Sequence, residues 1–167
     1  LGVELVAVTV MTNLGFHRLM AERGIEVFTT PVGDRYVLDA LRREGGLLGG
    51  EQSGHVVWLE NHVAGDGLVA ALLLCGALRG RTLSEAASVL ELYPQVKRNV
   101  PVKRRDLPGS IHDAADRIND ELGDRGRVLV RPSGTEPVVR VLAEAENGVD
   151  AEKLCASIAA LVVKELG

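Results

Sequence analysis

The 167-residue chain is 46 % hydrophobic and 25 % charged, with a formal net charge of −4 and acidic and basic residues mixed along its length. This composition suits one large or two small core-forming domains and argues against nucleic acid as main partner, because a phosphate backbone needs a basic face. The longest apolar run, Leu68–Leu78, is shorter than the ~20 residues that span a bilayer, and no signal peptide is visible, so no membrane partner and a cytoplasmic setting are expected.

In chain order, Val3–Val10 reads as a buried strand. Asn13 is placed to cap a helix over Leu14–Arg23, which Gly24 ends. Ile25–Thr29 is a second strand. After the Pro31–Gly33 loop, Asp34 is placed to cap a helix over Arg35–Glu44, stopped by Gly45 and Gly46. This strand-helix alternation is that of an α/β domain with crossover connections. Leu47–Leu48 and His55–Leu59 read as short strands around a glycine-rich break, and Glu60–Asp66 as a loop. Gly67–Arg79 is so apolar that burial on most sides is expected. Thr82 and Glu85 have capping-box spacing before a helix to about Glu91.

A boundary is expected at Tyr93-Pro94, separating residues 1–92, an α/β domain with a mixed sheet and helices on both faces, from residues 95–167, a small α+β domain. In the second, Gln95–Val102 alternates as a strand does, and a polar connector follows. Ser110 begins a helix to Leu122. Arg127–Arg131 and Val138–Glu144 are strands, and Asp150 is placed to cap a last helix, Ala151–Leu166. The basic cluster of Lys97, Arg98, Lys103, Arg104 and Arg105 reads as a solvated connector. Cys75 and Cys155 lack metal or disulfide spacing and are expected to be buried, reduced packing residues. The first residue is Leu1, not Met, and a strand pattern follows almost at once, so the chain reads as a fragment of a longer polypeptide.

Two breaks carry chemistry. The strands around Pro132–Pro137 are interrupted by Ser133, Gly134 and Thr135, with Arg131 before them and Arg140 after. A guanidinium fork matches a phosphate or carboxylate, hydroxyls add donors, and glycine lets a backbone N–H approach an anion and permits a positive φ. An ordinary hairpin turn would use the same residue types, and Glu136 argues mildly against an anion unless its carboxylate points away. In the break GGEQSGH, Glu51, Ser53 and His55 alternate. In an extended segment they would project together and suit sugar hydroxyls, with Gly50 and Gly54 admitting a ligand close to the backbone. A metal site from Glu51, His55, His62 and Asp66 lacks helical metal-ligand spacing, so none is expected.

GGEQSGH at residues 49–55 and RPSGTEP at 131–137, in that order, resemble the α-D-phosphohexomutases. The likeness extends through VTVMTNLGFHRLM, TPVGDRYVLDALR and GDGLVAALLL, covering nearly the whole chain. The forms GEQSGH, VGDRYV and RPSGTEPVVRV are most similar to members acting on glucosamine phosphates, with mannose- or glucose-phosphate members as the alternative. A non-catalytic sugar-phosphate-binding module is a further alternative.

The resemblance implies four domains around one cleft, of which this chain supplies the third and fourth. It implies that Glu51, Ser53, His55 and Arg35 contact the substrate and that Arg131, Ser133, Gly134, Thr135 and, less directly, Arg140 hold a phosphate. A phosphoserine and a Mg2+-holding aspartate loop belong to the missing N-terminal domains of the same polypeptide. No catalytic residue is therefore expected here, and the chain alone should be inactive. A hexosamine or glucose 1,6-bisphosphate is the implied activator.

Overall fold

The computed structural model describes residues 2–60, 65–104 and 106–167. His62, one of the metal-ligand candidates, and Arg105, of the basic cluster, lie outside the described residues. The chain divides into two compact units, Leu1–Glu91 and Leu92–Gly167.

The first unit contains β1 (Leu5–Thr9), α1 (Leu14–Glu22), β2 (Glu26–Thr30), α2 (Asp34–Glu44), β3 (Leu48–Gly50), β4 (Val56–Trp58), α3 (Gly67–Leu78) and α4 (Leu83–Ala87). The sheet order is β2-β1-β3-β4. Strand β1 pairs parallel with β2 and β3, and β4 returns antiparallel to β3. Val37, Ala40 and Leu41 of α2 pack with Ala7 and Val57 in one core. Gly49 is what allows that approach: a Cβ there would lie 2.6 Å from the Ala7 carbonyl oxygen and from a Val37 methyl. Leu48, its neighbour, therefore faces the other side of the sheet.

Local signals account for most helix starts, with specific exceptions. Asn13 caps α1 by accepting from Gly15 N at 3.0 Å. Helix α2 is capped by Gly33 rather than Asp34, which already lies inside the helix. The capping box of α4 is complete, but the helix ends at Ala87 rather than near Glu91. The Thr82 backbone N–H, then its hydroxyl, hold the Glu85 carboxyl below its usual range. A depressed carboxylate stabilises the fold above its unfolded pKa and loses that contribution as pH falls through the folded value. The α4 amide resonances are therefore expected to shift only on acidification below the ordinary carboxylate range, and Glu85→Gln to abolish that step.

The burial expected of the apolar helix is not found. Helix α3 has no buried residue, and Leu68, Leu72 and Leu74 are 80 %, 74 % and 46 % exposed. Within this unit it touches the sheet mainly at β4, too little surface to cover a helix that is apolar on every side. Cys75 is consequently exposed, against expectation, while Cys155 is buried. Burial raises the Cys155 thiol, only partly opposed by Arg98. In the 167-residue chain a maleimide is therefore expected to modify Cys75 readily and Cys155 only on unfolding. Mass mapping of the modified peptides would detect equal labelling, which would contradict this arrangement.

The second unit contains β5 (Gln95–Pro101), α5 (Gly109–Leu122), a 3-10 turn (Gly123–Arg125), β6 (Gly126–Pro132), β7 (Val138–Ala145) and α6 (Gly148–Leu166). The three strands form an antiparallel sheet in the order β5-β7-β6. Val128, Val130, Val139, Val141 and Ala143 pack against Ile111 of α5 and Cys155, Ile158 and Val162 of α6. The alternate residues Arg131, Arg140, Leu142 and Glu144 therefore occupy the face away from both helices. There Glu144, fully buried, accepts from Gln95 Nε2 at 2.6 Å and Arg127 Nε at 2.5 Å.

Two expected caps move. Helix α5 starts after Pro108, and the Ser110 hydroxyl instead donates to Glu165 at 2.5 Å. Asn147, not Asp150, caps α6, accepting from Asp150 N at 2.9 Å. Of the basic cluster, Lys97 and Arg98 lie on β5, and Arg98 pairs with Glu152 of α6. Among the described residues no helix is long and apolar enough to cross a membrane.

Candidate functional site

Residues at the carboxyl ends of the parallel strands assemble the first motif. Thr9 ends β1, Thr30 ends β2 and leads through Gly33 into α2, and Gly50 ends β3 and leads into residues 51–55. In open α/β sheets ligands bind at this edge, because the loops there converge while helices cover the faces.

Residues 51–55 are a tight turn, not the extended segment expected. Glu51 N donates to the His55 carbonyl, and Gly54 N to the Glu51 carbonyl, both at 3.0 Å. The turn still gathers the three side chains. Ser53 Oγ lies 3.0 Å from His55 Nδ1 and donates to Glu51 Oε2 at 3.4 Å. His55 Nδ1 is 3.8 Å from the same carboxylate oxygen. The other oxygen, Glu51 Oε1, accepts from Gly33 N at 2.8 Å. The carboxylate thus sits at the N-terminus of α2, where orphan N–H groups and the helix dipole favour negative charge. Its side chain is only 9 % exposed, against 63 % for His55.

Two residues that sequence reasoning left aside position this turn. Gly33, at φ +134, adopts a backbone conformation that side chains disfavour and so presents its N–H to Glu51. Thr9, fully buried, donates its hydroxyl to Gln52 Oε1 at 3.3 Å. The glycine before DRY was a readable signal for the first; nothing in the sequence pairs residue 9 with residue 52. Arg35 follows in the first turn of α2. Its side chain is 86 % exposed, held loosely by Asp39 at 3.8 Å, and available to an anion at that edge.

The second motif is the hairpin connection between β6 and β7. Ser133 N donates to the Val138 carbonyl, and Val138 N to the Glu136 carbonyl, both at 2.9 Å. Ser133 is 4 % exposed, and its hydroxyl accepts from Glu136 N and from Arg140 Nη2, each at 3.3 Å. It is first of all the organiser of the turn. Gly134 and Thr135 are the exposed part. Gly134 is not among the glycines with positive φ, so its small size rather than a left-handed backbone is what it brings.

The charges at this end are unbalanced. Arg131 and Arg140 are direct cross-strand partners, and like charges placed opposite one another are destabilising. Arg140 Nη2 is compensated by Glu136 at 2.9 Å, but its buried Nε has no hydrogen-bond partner. Arg131 makes no side-chain hydrogen bond or ion pair among the described residues. Burial, then the neighbouring Arg140, lower its pKa. A partly desolvated cation beside a second cation, next to exposed Gly134 and Thr135, is an arrangement that an anion relieves. Glu136 is a weak competitor: an exposed ion pair contributes about 0–1 kcal/mol, while a hydrogen bond to a charged group contributes about 1.5–3 kcal/mol.

No group of three His, Cys, Asp or Glu side chains is placed to hold a metal ion among the described residues. Asp66, considered above as a ligand, caps α3, accepting from Leu68 N at 2.8 Å.

Comparison with known proteins places both units. Residues 2–94 match the phosphoglucomutase/phosphomannomutase alpha/beta/alpha domain III, and residues 98–161 match the C-terminal domain of the same proteins. The chain is 51 % identical over 164 residues to phosphoglucosamine mutase of Frankia alni, an alignment covering 95 % of this chain and 36 % of that protein. It is 45 % identical to phosphoglucosamine mutase of Rubrobacter xylanophilus, covering 96 % and 38 %. The chain thus spans little more than a third of the length of these relatives. Among solved structures, N-acetylphosphoglucosamine mutase of Aspergillus fumigatus shares the fold, with a TM-score of 0.83 at 21 % identity over 96 % of this chain and 38 % of that one. With both consecutive domains matched, the chain belongs to the phosphoglucomutase/phosphomannomutase family.

Proposed function

We propose that the chain is the sugar- and phosphate-binding portion of a phosphoglucosamine mutase, which interconverts glucosamine 6-phosphate and glucosamine 1-phosphate. The observation that carries this reading is the cross-strand Arg131–Arg140 pair beside Gly134 and Thr135, in which Arg140 has a carboxylate partner and Arg131 has none among the described residues. Arg131, the Gly134 N–H and the Thr135 hydroxyl grip the phosphate that is not being transferred. Ser133 fixes the turn and Arg140 contributes by leaving Glu136. In the other unit Glu51 Oε2 and Ser53 accept and donate to sugar hydroxyls, His55 lies on the exposed side of the same turn, and Arg35 supplies positive charge.

The division of labour follows from the reaction class. Phosphoryl transfer depends mostly on positioning and on stabilising charge. A bisphosphorylated sugar that turns around between two transfers needs a grip that reads a phosphate and hydroxyls in either orientation. The phosphoserine, and the magnesium that assists it when bound, are assigned to preceding domains of the same polypeptide. The solved Aspergillus fumigatus relatives include complexes with glucose 1,6-bisphosphate and with GlcNAc-6P and magnesium, in keeping with a bisphosphate activator. The phosphorylated sugars place the work in the cytoplasm.

The test is turnover by the complete polypeptide on the 6-phosphates of glucosamine, glucose and mannose. Preference for glucosamine 6-phosphate is expected, with no turnover by the 167-residue chain alone. Preference for glucose or mannose would move the assignment within the family, and turnover by the isolated chain would overturn the division of labour.

A further inference from the structure

The chain holds five Phe, Tyr and Trp rings: Phe16, Phe28, Tyr36, Trp58 and Tyr93. Four of them are accounted for by the fold. Trp58 and Tyr93 are buried. Phe28 lies under the Arg43 guanidinium, 5.8 Å from the ring centre, and Phe16 packs edge-on with the His17 ring. Tyr36 is the exception. It is 50 % exposed, and its side chain has no hydrogen bond, ring contact or cation partner among the described residues.

Single exposed apolar side chains are common on protein surfaces; what sets Tyr36 apart is its place. It follows Arg35 in the first turn of α2, and its ring lies against Gly33. A Cβ on Gly33 would stand 3.3 Å and 3.6 Å from Cδ2 and Cε2 of that ring. The N–H of the same glycine donates to Glu51 Oε1 at 2.8 Å. The one exposed aromatic ring and the carboxylate of the 51–55 turn therefore meet at a single residue that has no side chain to separate them.

We propose that Tyr36 is a platform on which the sugar ring of the substrate rests, while Glu51 and Ser53 take hydroxyls at its rim. The inference rests on the sugar-binding reading of the 51–55 turn and adds a contact to it. A hexose of gluco configuration carries its hydroxyls around the rim and C–H groups on both faces. The face of an aromatic ring is the negative part of its quadrupole and attracts such polarised C–H groups, while the phenol hydroxyl tolerates water when the site is empty. Ligand sites combine aromatic walls with a few polar groups that fix orientation, and Tyr36 beside Glu51 supplies one of each. A tyrosine also has only two side-chain torsions to immobilise. Because both faces of the sugar present C–H groups, one platform serves a sugar that turns over between transfers.

The test compares the complete polypeptide with its Tyr36→Phe, Tyr36→Leu and Tyr36→Ala variants. Titration calorimetry reads glucosamine 6-phosphate, glucose 6-phosphate and inorganic phosphate. Tyr36→Phe keeps the flat ring and should bind all three within about twofold of native. Tyr36→Leu, apolar but not flat, and Tyr36→Ala should weaken both sugar phosphates by about five- to tenfold and leave inorganic phosphate within about twofold. Proton NMR gives a readout that a merely structural role would not move. The ring-proton resonances of the bound sugar are expected upfield with tyrosine or phenylalanine at this position and unshifted with leucine. Native affinity in Tyr36→Leu would overturn the proposal, as would equal losses for the sugar phosphates and inorganic phosphate. The inference and the proposed function fail separately. Native binding of glucosamine 6-phosphate by every variant removes the platform and leaves the function. A polypeptide that ignores glucosamine 6-phosphate, but loses glucose 6-phosphate in Tyr36→Leu, keeps the platform and moves the function within the family.

Discussion

Replacing Arg131 with alanine is expected to weaken binding of glucosamine 6-phosphate by about 10- to 100-fold, and Arg104→Ala to leave it within about twofold. The first figure corresponds to losing one charge-assisted grip of about 1.5–3 kcal/mol. The second is that of an exposed side chain outside both motifs. Titration calorimetry on the complete polypeptide reads both. The fold should respond in the opposite sense. Arg131 is partly desolvated, faces Arg140 across the strand pair, and has no stabilising partner among the described residues, so its removal should leave stability unchanged or slightly raised. Residues kept for binding at the expense of stability behave in this way. Arg131→Lys keeps the charge but loses the fork, and should recover only part of the affinity. Equal losses for Arg131→Ala and Arg104→Ala would remove the anion site from this hairpin.

The architecture was legible where local chemistry decides it. Alternating strands and helices, the Asn13 cap and the Thr82–Glu85 capping box need only neighbours in sequence, and they form as read. The caps that moved show the limit of that reading. Asp34, Ser110 and Asp150 are good capping residues by type, but Gly33, Pro108 and Asn147 take the positions. At Gly33 the reason is tertiary, because Glu51, 18 residues on, supplies the acceptor that a side-chain cap would have provided. Helix α3 is the clearest departure. Its composition says that water is a poor neighbour for it, but among the described residues of the first unit it meets the sheet mainly at β4, and how much of a helix is covered is decided by tertiary contacts that its own sequence does not encode.

At the site, residue types and order were readable, while roles depended on geometry. The arginines and hydroxyls of the β6–β7 connection, on which the proposed anion site rests, were visible in the sequence. That Ser133 turns inward to hold the loop and that Glu136 shields Arg140 were not, because both depend on where a five-residue connection folds back. Cross-strand register alone sets Arg131 opposite Arg140, and register is a property of the paired strands rather than of either one.

Glu51 carries the second large effect, and two substitutions separate its roles. Its Oε1 accepts from Gly33 N at 2.8 Å, and its Oε2 lies toward Ser53 and His55. In Glu51→Gln the amide oxygen can keep the bond to Gly33, so the turn should stay docked on α2 and stability should fall by only about 1 kcal/mol, the size of a neutral hydrogen bond. The amide nitrogen then replaces Oε2 and offers a donor where a sugar hydroxyl needs an acceptor. Turnover by the complete polypeptide is therefore expected to fall at least tenfold at near-native stability. Glu51→Ala loses both contacts and leaves the α2 N-terminus without its carboxylate. It should cost about 1.5–3 kcal/mol in denaturant unfolding as well as the activity. A Gln variant with native turnover would show that the carboxylate serves only to anchor the turn, and the sugar contact would then have to come from Ser53 and His55 alone.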